Sequence, residues 1–228
     1  MSQSTSLHDL RALLQQGAGA FRSPLSLPRQ RETGEHSSWL PKGLSAGEIS
    51  EWIALEDGSG AAELALSSVC GQLPADSRWL MIDPQGETYA PALVQRGLDL
   101  SRVLLVQTQD AAEAFWAAEQ GLRSRGVDVV CCRLPRLAPL AFRRLKLAAE
   151  AGESRCLLLR GPEALRETSW ADVRLLVTPL LSPSWRRRHF RVEILKVKNS
   201  VPGRAAQAEF DDETGVVRVV SKLADSTD

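Results

Sequence analysis

The stretch Leu55-Glu56-Asp57-Gly58-Ser59-Gly60-Ala61-Ala62-Glu63-Leu64 has the outline of a phosphate-binding loop. The working motif, G-x-x-x-x-G-K-[ST] between a strand and a helix, cradles phosphate on backbone amides. A lysine neutralises the phosphate and a hydroxyl holds magnesium. Gly58, Ser59 and Gly60 keep the glycine-rich turn, but Ala61 stands at the lysine position, Ala62 at the hydroxyl position, and Leu55 replaces the leading glycine. Glu56, Asp57 and Glu63 add carboxylates where a nucleotide would bring its own negative charge. Two readings stand side by side: a nucleotide site that kept its turn and lost its chemistry, or an ordinary strand-to-helix turn built on glycine.

Other chemistry-bearing residues form no catalytic set. His8, His36 and His189 are scattered, and Cys70, Cys131, Cys132 and Cys156 include no C-x-x-C pair and no histidine at metal spacing. The cysteines lie in apolar runs, so buried reduced thiols are expected. The adjacent Cys131 and Cys132 should point to opposite faces of a strand. Arg186, Arg187 and Arg188 beside Trp185 offer phosphate contacts and a stacking ring. The alternative is an exposed turn with solvated arginines and a core tryptophan. Arg143, Arg144 and Lys146 share a helical pattern and are expected to face solvent or a partner.

The elements that must hold these residues are those of an α/β chain. At 228 residues, with 43% hydrophobic and 25% charged, the composition is that of a globular protein. No apolar run reaches membrane-spanning length and no secretion signal opens the chain, so a cytoplasmic protein is expected. Residues 1–132 carry 10 basic and 16 acidic side chains, 133–204 carry 16 and 6, and the remainder 2 and 6. A basic middle third serves nucleic acid or an acidic partner, or is balanced internally on folding.

Leu7, Leu10, Leu13 and Leu14 form a narrow stripe on an expected N-terminal helical arm, residues 1–17, followed by a Pro- and Ser-rich linker over 18–43. The core is expected over 44–220, with a tail at 221–228. Apolar strand runs at 49–55, 79–82, 103–106, 127–132 and 156–159 alternate with helical patterns at 61–72, 89–96, 111–123 and 139–149. Strands apolar at every position suit a parallel sheet covered on both faces. Runs at 173–181, 189–197, 205–210 and 216–220 then follow without helices, the last pair joined by a hairpin turn at 211–215. The predicted class is α/β, a mainly parallel sheet between helices with an antiparallel C-terminal extension.

Short strings along this layout resemble the RecA-type ATPase core. They are Ile82-Asp83-Pro84-Gln85, Gln95-Arg96-Gly97-Leu98-Asp99-Leu100-Ser101-Arg102-Val103-Leu104-Leu105, Gly126-Val127-Asp128-Val129-Val130, Lys196-Val197-Lys198-Asn199 and Gln207-Ala208-Glu209-Phe210. Leu40-Pro41-Lys42-Gly43-Leu44, Leu134-Pro135, Arg143-Arg144-Leu145-Lys146-Leu147-Ala148-Ala149-Glu150, Arg191-Val192-Glu193-Ile194-Leu195 and Pro202-Gly203-Arg204 are similar to the narrower ImuA-type group of bacterial mutagenesis cassettes. The resemblance implies a RecA-like core and a non-catalytic accessory role in translesion DNA synthesis after damage. Its partners would be a Y-family polymerase-like protein, a replicative-type error-prone polymerase and RecA.

The resemblance also assigns the catalytic carboxylate to Gln85 and the magnesium-supporting acid to Arg133, so ATP hydrolysis is not expected and no cofactor is implied. Lys196 and Lys198 match lysines that sense nucleotide across a subunit boundary; edge-strand protection is the other reading. The two loops that the resemblance would give to DNA, after Leu134-Pro135-Arg136 and between Leu159 and Trp170, are short, so DNA binding is expected to be weak and non-specific. The arm stripe has two readings, contact with a partner or packing back on the core. The alternative function is a SulA-like cell-division inhibitor or a regulatory nucleotide-binding protein, with a stand-alone DNA-binding module third.

Overall fold

Short strands apolar along their whole length must be covered from both sides, and the chain supplies the cover from the helices between them. A computed structural model describes residues 44–223 apart from 57, 71, 199–202 and 204. The elements run β1 (Ile49–Ala54), α1 (Ala61–Cys70), β2 (Trp79–Ile82), α2 (Ala90–Gln95), β3 (Val103–Val106), α3 (Ala111–Arg123), β4 (Val129–Arg133), α4 (Pro139–Gly152) and β5 (Arg155–Arg160). Then come β6 (Val173–Ser184), β7 (Arg187–Val197), β8 (Ala205–Asp211) and β9 (Val217–Leu223). One nine-stranded sheet holds all the strands in the order β3-β2-β4-β5-β1-β6-β7-β8-β9. The neighbours from β3 to β6 pair in parallel, and those from β6 to β9 antiparallel.

Helices α3 and α4 cover one face, packing Ala117, Leu122, Phe142 and Leu145 on Leu80, Val130, Cys132 and Cys156. Helix α1 covers the other, with Leu66 and Val69 over Trp79 and Met81, and Ala61 and Leu64 over Leu175, Phe190 and Phe210. Cys131 and Cys132 do point to opposite faces. Local chemistry sets the helix ends. Asp110 caps α3 by accepting from Ala112 and Glu113 N–H, both at 2.8 Å, while Glu113 reaches back to Gln109 N–H at 2.9 Å. Pro139 opens α4. At its far end Gly152 touches α3: a Cβ there would lie 2.0 Å from the Leu122 carbonyl oxygen.

The 211–215 turn forms as expected, with Asp211 Oδ1 accepting from Glu213 and Thr214 N–H at 3.0 Å each. Strands β6 and β7 run further than their apolar patterns suggest, because β7 is held on its other side by β8 as far as Arg187↔Asp211. Arg187, Arg188 and His189 are therefore strand residues. Leu7, Leu10, Leu13 and Leu14, the arm and its linker lie outside the described residues.

Candidate functional site

The glycine-rich turn sits at the carboxyl end of β1, where open α/β sheets bind ligands. Glu56 O accepts from Ser59 N–H at 3.2 Å, and Gly58 and Gly60 take φ of 75° and 77°. A Cβ on residue 60 would lie 2.4 Å from Phe190 Cε1, so the turn is pressed against an aromatic ring from β7. Ser59 and Ala61 are buried, and Ala61 packs with Leu64 into the apolar layer around Phe190. The lysine position is thus part of the core. Asp57 lies outside the described residues.

A cation closes over the first turn of α1. Arg188 Nη1 reaches Glu63 Oε1 at 3.3 Å, and Nε and Nη2 hold Asp212 with contacts of 2.7–3.1 Å. Its guanidinium lies 5.6 Å from the Phe190 ring centroid and 5.0 Å from that of Phe210, over which Arg96 also stacks at 5.0 Å. Burial pulls the Arg188 pKa down, and Asp212 and Glu63 more than restore it, so the side chain stays a cation. Burial lowers that of Arg96.

Gln85 and Arg133 reach the same carboxyl edge from β2 and β4, separated from the glycine turn by β5. Gln85 is exposed, and Arg133 Nη2 stands 3.7 Å from Glu87 Oε2. Asp83, beside them, serves the turn: it accepts from Thr88 N–H at 2.6 Å and Glu87 N–H at 3.1 Å. Burial pushes its carboxyl up, and these hydrogen bonds outweigh it, holding the group below the usual carboxylate range.

Most of the cations singled out in the sequence are engaged within the chain. Lys146, expected outside, has a side chain only 13% exposed; its Nζ donates to Asp172 Oδ2 at 2.7 Å and Gly47 O at 2.9 Å, tying α4 to the strand ends. Arg144 crosses to α3, bonds Glu119 at 2.5 Å and stacks on Phe115. Arg143 lies 5.8 Å from the Trp170 ring. Lys196 donates to Ser169 O at 3.1 Å, and Lys198 stands 3.9 Å from Asp172. Arg186 and Arg187 face Glu213 and Glu209 at 3.7 and 3.9 Å, distances at which exposed pairs bind weakly. Trp185, read above as either a stacking ring or core, is exposed at the β6–β7 turn.

The sequence reading missed a buried charge cluster at the centre of the sheet. Glu51 on β1 lies between Arg160 at the end of β5 and Arg174 on β6. Arg160 Nη1 donates to Glu51 Oε1 at 3.1 Å, while Nη2 holds Pro135 O at 3.1 Å and the Glu167 carboxylate. Arg174 Nε stands 2.8 Å from Glu51 Oε2, off the line of a hydrogen bond, and its Nη2 donates to Ala164 O. The signal was partial: Glu51 and Arg174 sit inside apolar strand runs and Arg160 ends one, but only the strand order β5-β1-β6 brings the three together.

The thiols fit packing. Burial raises the pKa of Cys70 to about 12 and pushes Cys131 and Cys132 far above the normal range, with a Cys156 hydrogen bond the leading cause at Cys132. Among the described residues no cluster of His, Cys, Asp or Glu could hold a metal ion, and no helix is long and apolar enough to cross a membrane. An open hollow of about 570 Å³ at the carboxyl edge is lined by Arg136, Pro162, Glu163, Leu165, Arg166 and Glu167.

A family model described as cell division inhibitor SulA matches residues 47–156, from just before β1 to the start of β5. The chain is 37% identical over 101 residues to the cell division inhibitor SulA of Edwardsiella piscicida, covering 44% of this chain and 60% of that protein. It is 31% identical over 116 residues to the SulA of Yersinia enterocolitica, covering 50% of this chain and 68% of that one. Among solved structures, SulA from Pseudomonas aeruginosa is similar at 28% identity and a TM-score of 0.42, covering 50% of this chain and 97% of that one. The chain therefore spans about 60% of the length of the Edwardsiella relative.

These matches correct the reading made from short strings. The ImuA-type assignment is overturned, since the family model and the curated relatives are SulA. With it go the translesion-synthesis role, the RecA-like pseudo-ATPase description, and the polymerase and RecA partners. The α/β class with a parallel and antiparallel sheet stands; a RecA-like core is not shown. The strings misled because residue types at strand ends and on alternating strands follow exposure. In Gln207-Ala208-Glu209-Phe210, the alanine and phenylalanine are buried and the polar pair is half-buried, the period of any strand with one covered face.

Proposed function

The chain belongs to the SulA family, and from that premise we propose that it inhibits bacterial cell division by binding a protein of the division machinery, without catalysis. The observation that carries the proposal is the family match over 47–156 together with the 31% identity to the Yersinia enterocolitica protein across 68% of its length. Action by binding alone is supported by the glycine turn. Ala61 and Ala62 replace the groups that would hold phosphate and magnesium, and the turn's glycine is spent on contact with Phe190. The cytoplasm is the proposed site of action, supported by four cysteines that remain free thiols.

Controlled expression in a rod-shaped bacterium tests the proposal. Cells should elongate without dividing, and resume division once expression stops. Normal division at protein levels well above those of the division proteins themselves would overturn it. Calorimetry of the purified chain with magnesium-ATP should show no binding; a micromolar dissociation constant would remove the nucleotide-free part of the reading.

A further inference from the structure

Strand β6 outruns its parallel neighbour β1. Strand β1 pairs with β6 only over 173–177, so 178–184 has one edge with no neighbouring strand among the described residues. Pro179 and Pro183 lie on this stretch and lack the N–H needed to recruit another strand there. At its end Leu181 is 101% exposed and Trp185 79%, more than any other large apolar side chain among the described residues. Arg186 stacks at 5.1 Å on the Trp185 ring. The 211–215 turn stands level with this tip, because Asp212 N–H donates to Arg186 O at 2.9 Å.

The charges there are interleaved. Arg186, Arg187 and Arg188 meet Glu213, Glu209 and Asp212, with Asp211 beside them. DNA or an anionic lipid surface would meet as many carboxylates as guanidiniums, so it gains little from this tip. Two apolar anchors, one of them a tryptophan, framed by arginines and by charges of both signs, are instead the composition of a protein contact. The tip also lies beyond residue 156, where the family match ends.

We propose that the β6–β7 tip is a docking element for a protein surface with an apolar cleft rimmed by charges of both signs, and that it makes a second contact of the inhibitory complex beyond the family segment. The second clause rests on the division-inhibitor reading.

The test uses the full chain carrying Leu181→Ser and Trp185→Ala. Both side chains are exposed, so thermal stability should not change. Inhibition should need about tenfold more protein or worse, the loss expected on removing interface anchors. Where the native chain inhibits, equal inhibition by the double variant would overturn the proposal. A photoreactive Ser184→benzoylphenylalanine chain is then irradiated in cells. The cross-linked protein is identified, purified and titrated against both chains. Binding of that protein that weakens at least tenfold in the double variant supports docking, even where the native chain fails to stop division, in which case only the division-inhibitor reading falls. No protein product, binding that ignores the double substitution, or a double variant that loses binding to oligo(dT) or to phosphatidylglycerol vesicles would overturn the proposal.

Discussion

Glu51 and its two arginines show what a single buried charge can dictate. Its side chain is 0% exposed, as is that of Arg160, so the carboxylate survives only through its partners. A charge cluster of this kind contributes little net stability over apolar residues of the same shape, but removing one partner strands the others. Glu51→Gln should therefore destabilise the protein by about 3 kcal/mol or more, because Arg174 loses the carboxylate that faces it and buried Arg160 is left with Glu167 alone. Urea unfolding followed by circular dichroism measures it, and a loss below about 1 kcal/mol would show that water already screens the site. The effect concerns stability and register: the cluster fixes β5, β1 and β6 against one another, with Ile53↔Arg160 and Glu51↔Arg174 as its register pairs.

At the scale of elements, the turn between β1 and α1 is explained by what lands on it. Gly60 has a positive φ and no room for a Cβ against Phe190. Gly60→Ala should cost about 2 kcal/mol or more, combining left-handed strain with displacement of the ring. Phe190→Ala in the same chain should recover part of that loss, a coupling that a double-mutant cycle reads directly. A glycine free of the ring would show the left-handed strain alone, about 1 kcal/mol, and no coupling to Phe190. The same packing explains why Arg188 is unavailable to a nucleic acid: it is held by Glu63, Asp212 and two aromatic rings, while Arg186 and Arg187 further out are loosely paired.

For the whole molecule, the antiparallel strands are part of one sheet with the family segment. Strand β6 flanks β1 directly, and Leu175, Val177, Phe190, Val192 and Phe210 form one apolar cluster with Trp52, Ala61 and Leu64. A chain ended after residue 172 would expose that cluster and remove Arg174 from Glu51. It should show no cooperative thermal transition, checked by circular dichroism and calorimetry; a sharp transition would mean that the segment up to β5 folds alone. The family match and the strands that complete the sheet are therefore expected to stand or fall together as a folding unit.

The sequence by itself determined the elements and their order. Strands 79–82 and 103–106 and helix 111–123 were legible to the residue, because period, caps and apolar runs are local properties. The turn at 211–215 and the opposite faces of Cys131 and Cys132 follow from the same local rules. Tertiary structure alone decided which charges are free. Lys146 and Asp172 are 26 residues apart and Glu63 and Arg188 are 125 apart, so no helical or strand period relates them. It decided, too, that Trp185 faces solvent at its turn, where the sequence left a stacking ring and a core tryptophan both open. Family was a third kind of information: the match that shows it spans 47–156, whereas the strings that misled were short. Short strings record the exposure pattern that any covered sheet imposes, whereas the pairing of distant side chains exists only once the sheet has closed.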